Sequence, residues 1–131
     1  MKRILMMMFL LAAFLYIPAA LADKAKSNTE GRAASAMNCG KCAKVCEETL
    51  SYFKKQGGKY TEAKNLQILK DCISSCKTSD EFQSRKSSNA GKIMAVCNEI
   101  CKQCAQMCKD MNDPKLADCI KSCETCSSCC E

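Results

Sequence analysis

Fourteen cysteines, most of them three or four residues apart, in a chain without histidine constrain this fold more than any other feature. Cys97, Cys101, Cys104 and Cys108 step by 4, 3 and 4 residues, and Cys119, Cys123, Cys126 and Cys130 repeat the rhythm. Residues three and four apart lie above one another on an α-helix, so each run draws a stripe of sulfur down one side of a rod. Cysteines that staple loop-rich domains do not follow a helical period.

The first residues read as an export signal. Lys2 and Arg3 give a basic start, Ile4 to Ile17 are apolar, and Ala20 and Ala22 are small residues suited to cleavage before Asp23. The apolar stretch is short for a bilayer span, so general secretion of an unfolded chain to a bacterial periplasm, with no membrane anchor after cleavage, is expected. Losing 1–22 changes the balance from 20 basic residues against 14 acidic to 18 against 14. That charge is too weak and too dispersed for a nucleic-acid partner. All 14 cysteines lie beyond the signal. Such density in an exported chain makes a disulfide scaffold the rival to be weighed.

Residues 23–35 are polar and are expected to form a disordered leader, followed by one domain over 36–131. The pattern predicts four helices. The first, about 36–56, puts Cys39, Cys42, Cys46, Thr49 and Phe53 on its inner face and is stopped by Gly57-Gly58. The second begins after Thr61 and runs to about Arg85, with Asn65, Leu69, Cys72, Cys76 and Ser79 along its seam. Ser87-Ser88-Asn89 supplies a break and a helix cap. The third, about 90–111, carries Met94, Cys97, Cys101, Cys104, Cys108 and Met111. Asp113-Pro114 caps and opens the fourth, with Leu116, Cys119, Cys123, Cys126 and Cys130. No strand signal is present. Short connections make neighbours antiparallel, so the expected fold is all-α: an up-down-up-down four-helix bundle with a cysteine-lined core. One end then collects Phe53, Tyr60, Leu66, Met111 and Leu116 and is closed. The other gathers Met37, Met94, Cys39, Cys97, Cys126, Cys129 and Cys130, where thioethers suit entry of a soft metal.

Four readings compete for the thiols. As mere core filler, so many cysteines would fill the core poorly and oxidise. As disulfides, pairs within a helix are disfavoured, because Cβ atoms at i and i+4 are about 5–6 Å apart and a disulfide needs about 3.5–4.5 Å. Pairs between helices remain open: Cys72-x3-Cys76 followed by Cys97-x3-Cys101 resembles a disulfide-stapled helical hairpin, with a structural or interaction role. Metal ligation relaxes the distance problem. Zinc prefers a few closed tetrahedral sites, and ferredoxin-type iron–sulfur spacing is missing. Cu(I) best tolerates many shared thiolates. A thiol oxidoreductase built on Cys39-Gly-Lys-Cys42 would call for a thioredoxin-like α/β pattern, which is not present.

The third helix follows C-x3-C-x2-C-A-x2-C from Cys97 to Cys108, and the fourth repeats C-x3-C-x2-C through Cys119, Cys123 and Cys126. Leu69-Lys-Asp71-Cys72-Ile-Ser-Ser-Cys76 fits L-x-x-D-C-x3-C. In these motifs, over about 37–130, the chain resembles the cysteine-rich four-helix-bundle copper storage proteins. Asn65 stands where relatives often carry another cysteine. The absence of histidine resembles the exported branch of the family. The resemblance implies a core storing several Cu(I) ions per chain, loaded at a methionine-bearing end, and a homotetramer. The expected ligands are Cys39, Cys42, Cys46, Cys72, Cys76, Cys97, Cys101, Cys104, Cys108, Cys119, Cys123, Cys126, Cys129 and Cys130, with Met37 and Met94 at the entry. No enzyme activity is expected. The sequence does not name a copper donor or acceptor.

Overall fold

The computed structural model of the protein describes the backbone of residues 19–129, and the side chains of Ala34, Ala36 and residues 38–129. The core of the expected signal segment and Cys130 therefore lie outside the described residues, as does the side chain of Met37. Two compact units divide the chain, 1–30 and 31–131. The bundle belongs to the second.

Four helices carry the fold: α1 (Ala19–Gln56), α2 (Ala63–Ser84), α3 (Ala90–Asp110) and α4 (Ala117–Cys129). Among the described residues there is no strand. The backbone of α1 is helical across 23–35, the stretch expected to be a disordered leader. The stretch holds no proline, so nothing in it forbids propagation from a turn already formed.

Each helix end has a local cause. Gly57 adopts φ 68° with ψ −161°, a conformation that glycine accepts without a Cβ clash, and its N–H bonds to the Phe53 carbonyl at 3.1 Å. A 3-10 turn, Gly58–Thr61, then leads into α2. Lys86 ends α2 at φ 55°. Its N–H reaches the Gln83 carbonyl, and that of Ser87 reaches Phe82, both at 2.9 Å. This is a Schellman motif closed by lysine rather than glycine. The Arg85 guanidinium stacks on the Phe82 ring at 3.9 Å. Before α3 the expected cap differs in detail: the Asn89 side chain makes no capping bond, and the Asn89 N–H bonds to Ser87 Oγ instead. Asn112, at φ 50°, ends α3. Asp113 Oδ1 accepts the Lys115 N–H at 3.0 Å and Pro114 opens a 3-10 turn into α4, as the Asp-Pro pair predicts.

Cross-helix contacts fix the order around the bundle. Glu47 of α1 pairs with Lys77 of α2, and Lys109 of α3 with Glu124 of α4 at 2.6 Å. Exposed pairs of this kind contribute little stability, but they mark antiparallel neighbours. Contacts from Cys39 to Cys126 and from Tyr52 to Asp113 close the ring between α1 and α4.

The closed end is apolar, as expected. Phe53, Leu69 and Leu116 are buried with Met111, and Tyr60 and Leu66 pack against them. The rings of Tyr52, Phe53 and Tyr60 meet edge to face, with centroids 5.1 to 6.5 Å apart. Tyr52 and Tyr60 both donate their hydroxyls to Asp113 Oδ2, at 2.7 and 3.0 Å. Lys59 Nζ donates to the Met111 carbonyl at 2.9 Å, pairing an acceptor that the end of α3 leaves open.

Two outcomes follow from this end. Phe53→Ala should lose about 3–5 kcal/mol of stability, read as a lower urea midpoint under reducing conditions. The hydroxyl bonds also set a pH dependence. Tyr52, followed by the Lys115 N–H, holds the Asp113 carboxyl below its ordinary value. That contribution is present above the usual carboxylate range and is lost as pH falls through the lowered value. Tyr52 is pushed up to about 12, chiefly by its bond to Asp113. Its contribution is complete below the ordinary tyrosine value of about 10 and disappears as pH rises through about 12. Urea midpoints measured between those two alkaline values should fall in the native protein and fall less in Tyr52→Phe.

Candidate metal centre

The 3–4 step of each helix places its cysteines inward, and the antiparallel packing brings four stripes to one axis. Twelve of the thirteen described cysteines are buried and Cys129 is half-buried. Their sulfurs meet across helices at contact distance. Cys39 and Cys126 are 3.5 Å apart, Cys76 and Cys97 3.6 Å, and Cys46 and Cys72 3.6 Å. Cys108 and Cys119 are 3.5 Å apart. Contacts also run diagonally between α2 and α4, with Cys72 to Cys123 and Cys76 to Cys126 both at 3.9 Å.

Four groups hold sulfurs that all lie within 4.8 Å of one another. Cys39, Cys97 and Cys126 form the outermost. Cys126 is shared with a group of Cys42, Cys76 and Cys101, and Cys42 in turn is shared with Cys46, Cys72 and Cys123. Cys46 and Cys123 pass on to the last group, with Cys104 and Cys119. The result is a ladder whose neighbouring rungs have a sulfur in common. Cys108 continues it towards the closed end through Cys119.

The spacing suits ions as well as thiols. A thiolate–metal bond of about 2.3 Å puts two sulfurs on one ion about 3.7 Å apart in a tetrahedral arrangement and about 4.6 Å apart in a linear one. The ladder lies in or near that range without rearrangement of the helices. Its electrostatics divide the thiols. Cys76 is pushed above the ordinary thiol range, chiefly by its contact with Cys101, and Cys123 chiefly by that with Cys104, and burial adds to both. Cys42 and Cys72 are held low, by Cys101 first, and Cys119 by Cys104 first, against the opposing effect of burial.

At the end opposite the aromatic cluster Met94 is half-buried against the core. Three carboxamides there were not anticipated. Asn38 Nδ2 donates to Cys129 Sγ at 2.9 Å, Gln83 Nε2 donates to Cys39 Sγ at 3.7 Å, and Asn98 is buried. Gln83 had a signal: it continues the 3–4 step from Cys76 through Ser79. Asn38 and Asn98 sit beside cysteines and carry no spacing signal. Asn65, the seam position without a thiol, donates instead to the Lys59 carbonyl at 2.9 Å.

A model of the copper storage protein family matches residues 22–131. The chain belongs to that family. Its structure is similar to the crystal structure of the Nmul_A1745 protein from Nitrosospira multiformis, with a TM-score of 0.73 and 28% identity, covering 77% of this chain and 92% of that one. Among curated proteins none matches. The family is one of storage proteins rather than enzymes, and the buried sulfur groups are a donor set fitted to copper.

Sharing gives the cysteines unequal weight. Cys123→Ser removes a sulfur from two of the four groups, whereas Cys108→Ser touches none of them. Copper capacity, measured by anaerobic titration, should therefore drop by more ions in the first variant than in the second.

Proposed function

We propose that the protein binds and stores Cu(I), several ions per chain, on the thiolates of the fourteen cysteines, without catalysing a reaction. The observation that carries this reading is the shared-sulfur ladder, in which every group is made of cysteine alone. Charge favours a monovalent ion. Among the described residues the buried set contains no Asp, Glu, Lys or Arg, so the core has nothing to balance an added charge. Exchanging one thiol proton for one Cu(I) leaves the core neutral, however many ions enter. A separate zinc site with four thiolates would bury two negative charges, a large desolvation cost. Sharing of sulfurs between rungs also suits the low coordination numbers of Cu(I) better than closed tetrahedra.

The same reading includes export by the signal 1–22 to the periplasm, loading at the end that bears Met37 and Met94, and a homotetramer. Val96 is 57% exposed and shares an α2–α3 groove with Ile93 and Ile100, which gives copies of the chain an apolar strip to meet on.

One observation favours the disulfide reading. Cys76 and Cys97 are 3.6 Å apart and Cys72 and Cys101 3.8 Å, the two pairs that would staple an α2–α3 hairpin. Oxidised protein would then carry those bridges, and reduction would melt the helices. The experiment that separates the readings is an anaerobic Cu(I) titration of reduced protein with thiols counted before and after. Storage requires many equivalents bound, thiols lost to labelling in step with copper, and little change in helical circular dichroism. Because each ion displaces a proton, the apparent affinity should weaken as pH falls. Protein that takes up no copper after reduction would sink the proposal.

A further inference from the structure

The surroundings of sulfur change at the mouth of the bundle. Deep in the ladder, Cys46, Cys72 and Cys123 meet other sulfurs. Cys39 at the mouth meets Cys126 as well, but also the amide of Gln83, whose Nε2 donates to its Sγ at 3.7 Å. Gln83 is only 4% exposed, and its Oε1 is buried with no hydrogen-bond partner. An unpaired buried amide oxygen is destabilising, and leucine would occupy the same place without that penalty. Stability therefore does not account for a glutamine here. What it supplies is an N–H dipole aimed at sulfur. Asn38 repeats the device on the neighbouring half-buried thiol, donating to Cys129 Sγ at 2.9 Å.

An amide N–H donated to sulfur fixes the direction of its lone pairs. It does not compete for the metal, because soft ions select sulfur and leave amide groups to harder ones. Partners of this kind orient ligands and tune metal affinity.

We propose that Gln83 is a positioning residue for the outermost sulfur group. By donating Nε2–H to Cys39 Sγ, it holds that sulfur towards Cys97 and Cys126, so that an arriving ion meets three converging thiols. The proposal rests on the copper-storage reading.

The test follows transfer of Cu(I) from its bicinchoninate complex to reduced protein by stopped-flow absorbance. Gln83→Leu should slow uptake of the first equivalent about tenfold. Its total capacity and thiol count should match the native protein, and its thermal midpoint should not fall. Gln83→Glu keeps the side-chain length but replaces the donor with an acceptor, so it should also be slow, and it decides the matter if the leucine variant fails to fold. Adding Cys39→Ser to Gln83→Leu should slow uptake no further than Cys39→Ser alone, the non-additivity expected of two residues acting through one contact. Native rates in both Gln83 variants, or slowing that simply adds to that of Cys39→Ser, would overturn the role of Gln83 while leaving storage intact. Native protein that leaves all copper on bicinchoninate would overturn the storage reading and this proposal with it.

Discussion

Neutrality of the core is the constraint on which the rest depends. A dozen buried thiols can share one interior only while each sulfur either keeps its proton or exchanges it for another single positive charge. The bundle offers no alternative: among the described residues no ionised side chain is buried. The interior is therefore a stack of S–H···S contacts at 3.5–3.9 Å. These are weaker and longer than the bonds a polar core would make. They hold the helices at spacings near those that a bridging ion requires.

A core of this kind packs less apolar volume than leucine would, and stability has to come from elsewhere. The closed end supplies it. Phe53, Leu69 and Leu116 bury the large side chains that the ladder lacks, and Asp113 ties Tyr52 of α1 and Tyr60 of the first connection to the start of α4. Hydrophobic packing and directed hydrogen bonds are concentrated where no copper group lies. The mouth has the opposite character, with Ser79 Oγ, Gln83 Oε1 and Asn98 Oδ1 all buried and without partners. One end is built to hold, and the other is left with unsatisfied polarity.

Much of this was legible in the chain because the chemistry and the fold use the same period. The 3–4 step that makes a helical stripe also marks which residues face the axis, so Cys97 to Cys108 reported secondary structure, burial and ligand type together. Gly57-Gly58 and Asp113-Pro114 gave their boundaries because their backbone preferences are local. Lys86 did not, since lysine has no preference for a left-handed φ and takes it here under the demand of the Schellman bonds. Nor could spacing show which sulfurs meet. The diagonal contacts of Cys72 with Cys123 and Cys76 with Cys126 depend on the axial register of α2 against α4, which no single helix encodes. Asn38 was invisible for a related reason: its partner, Cys129, is 91 residues away.

Register has a further consequence for how the ladder works. Because Cys126, Cys42, and then Cys46 with Cys123 each belong to two groups, no rung is an independent site. An ion bound at one rung occupies a sulfur that the next rung also needs, so successive ions interact through shared ligands rather than through a conformational change. The same sharing links neighbouring rungs by a route in which one sulfur–metal bond could be kept while another is exchanged. A bundle with the same number of cysteines in separate closed sites would hold metal, but it would lack that route. Connectivity of the sulfurs, rather than their number, is what distinguishes this core from a set of separate structural sites.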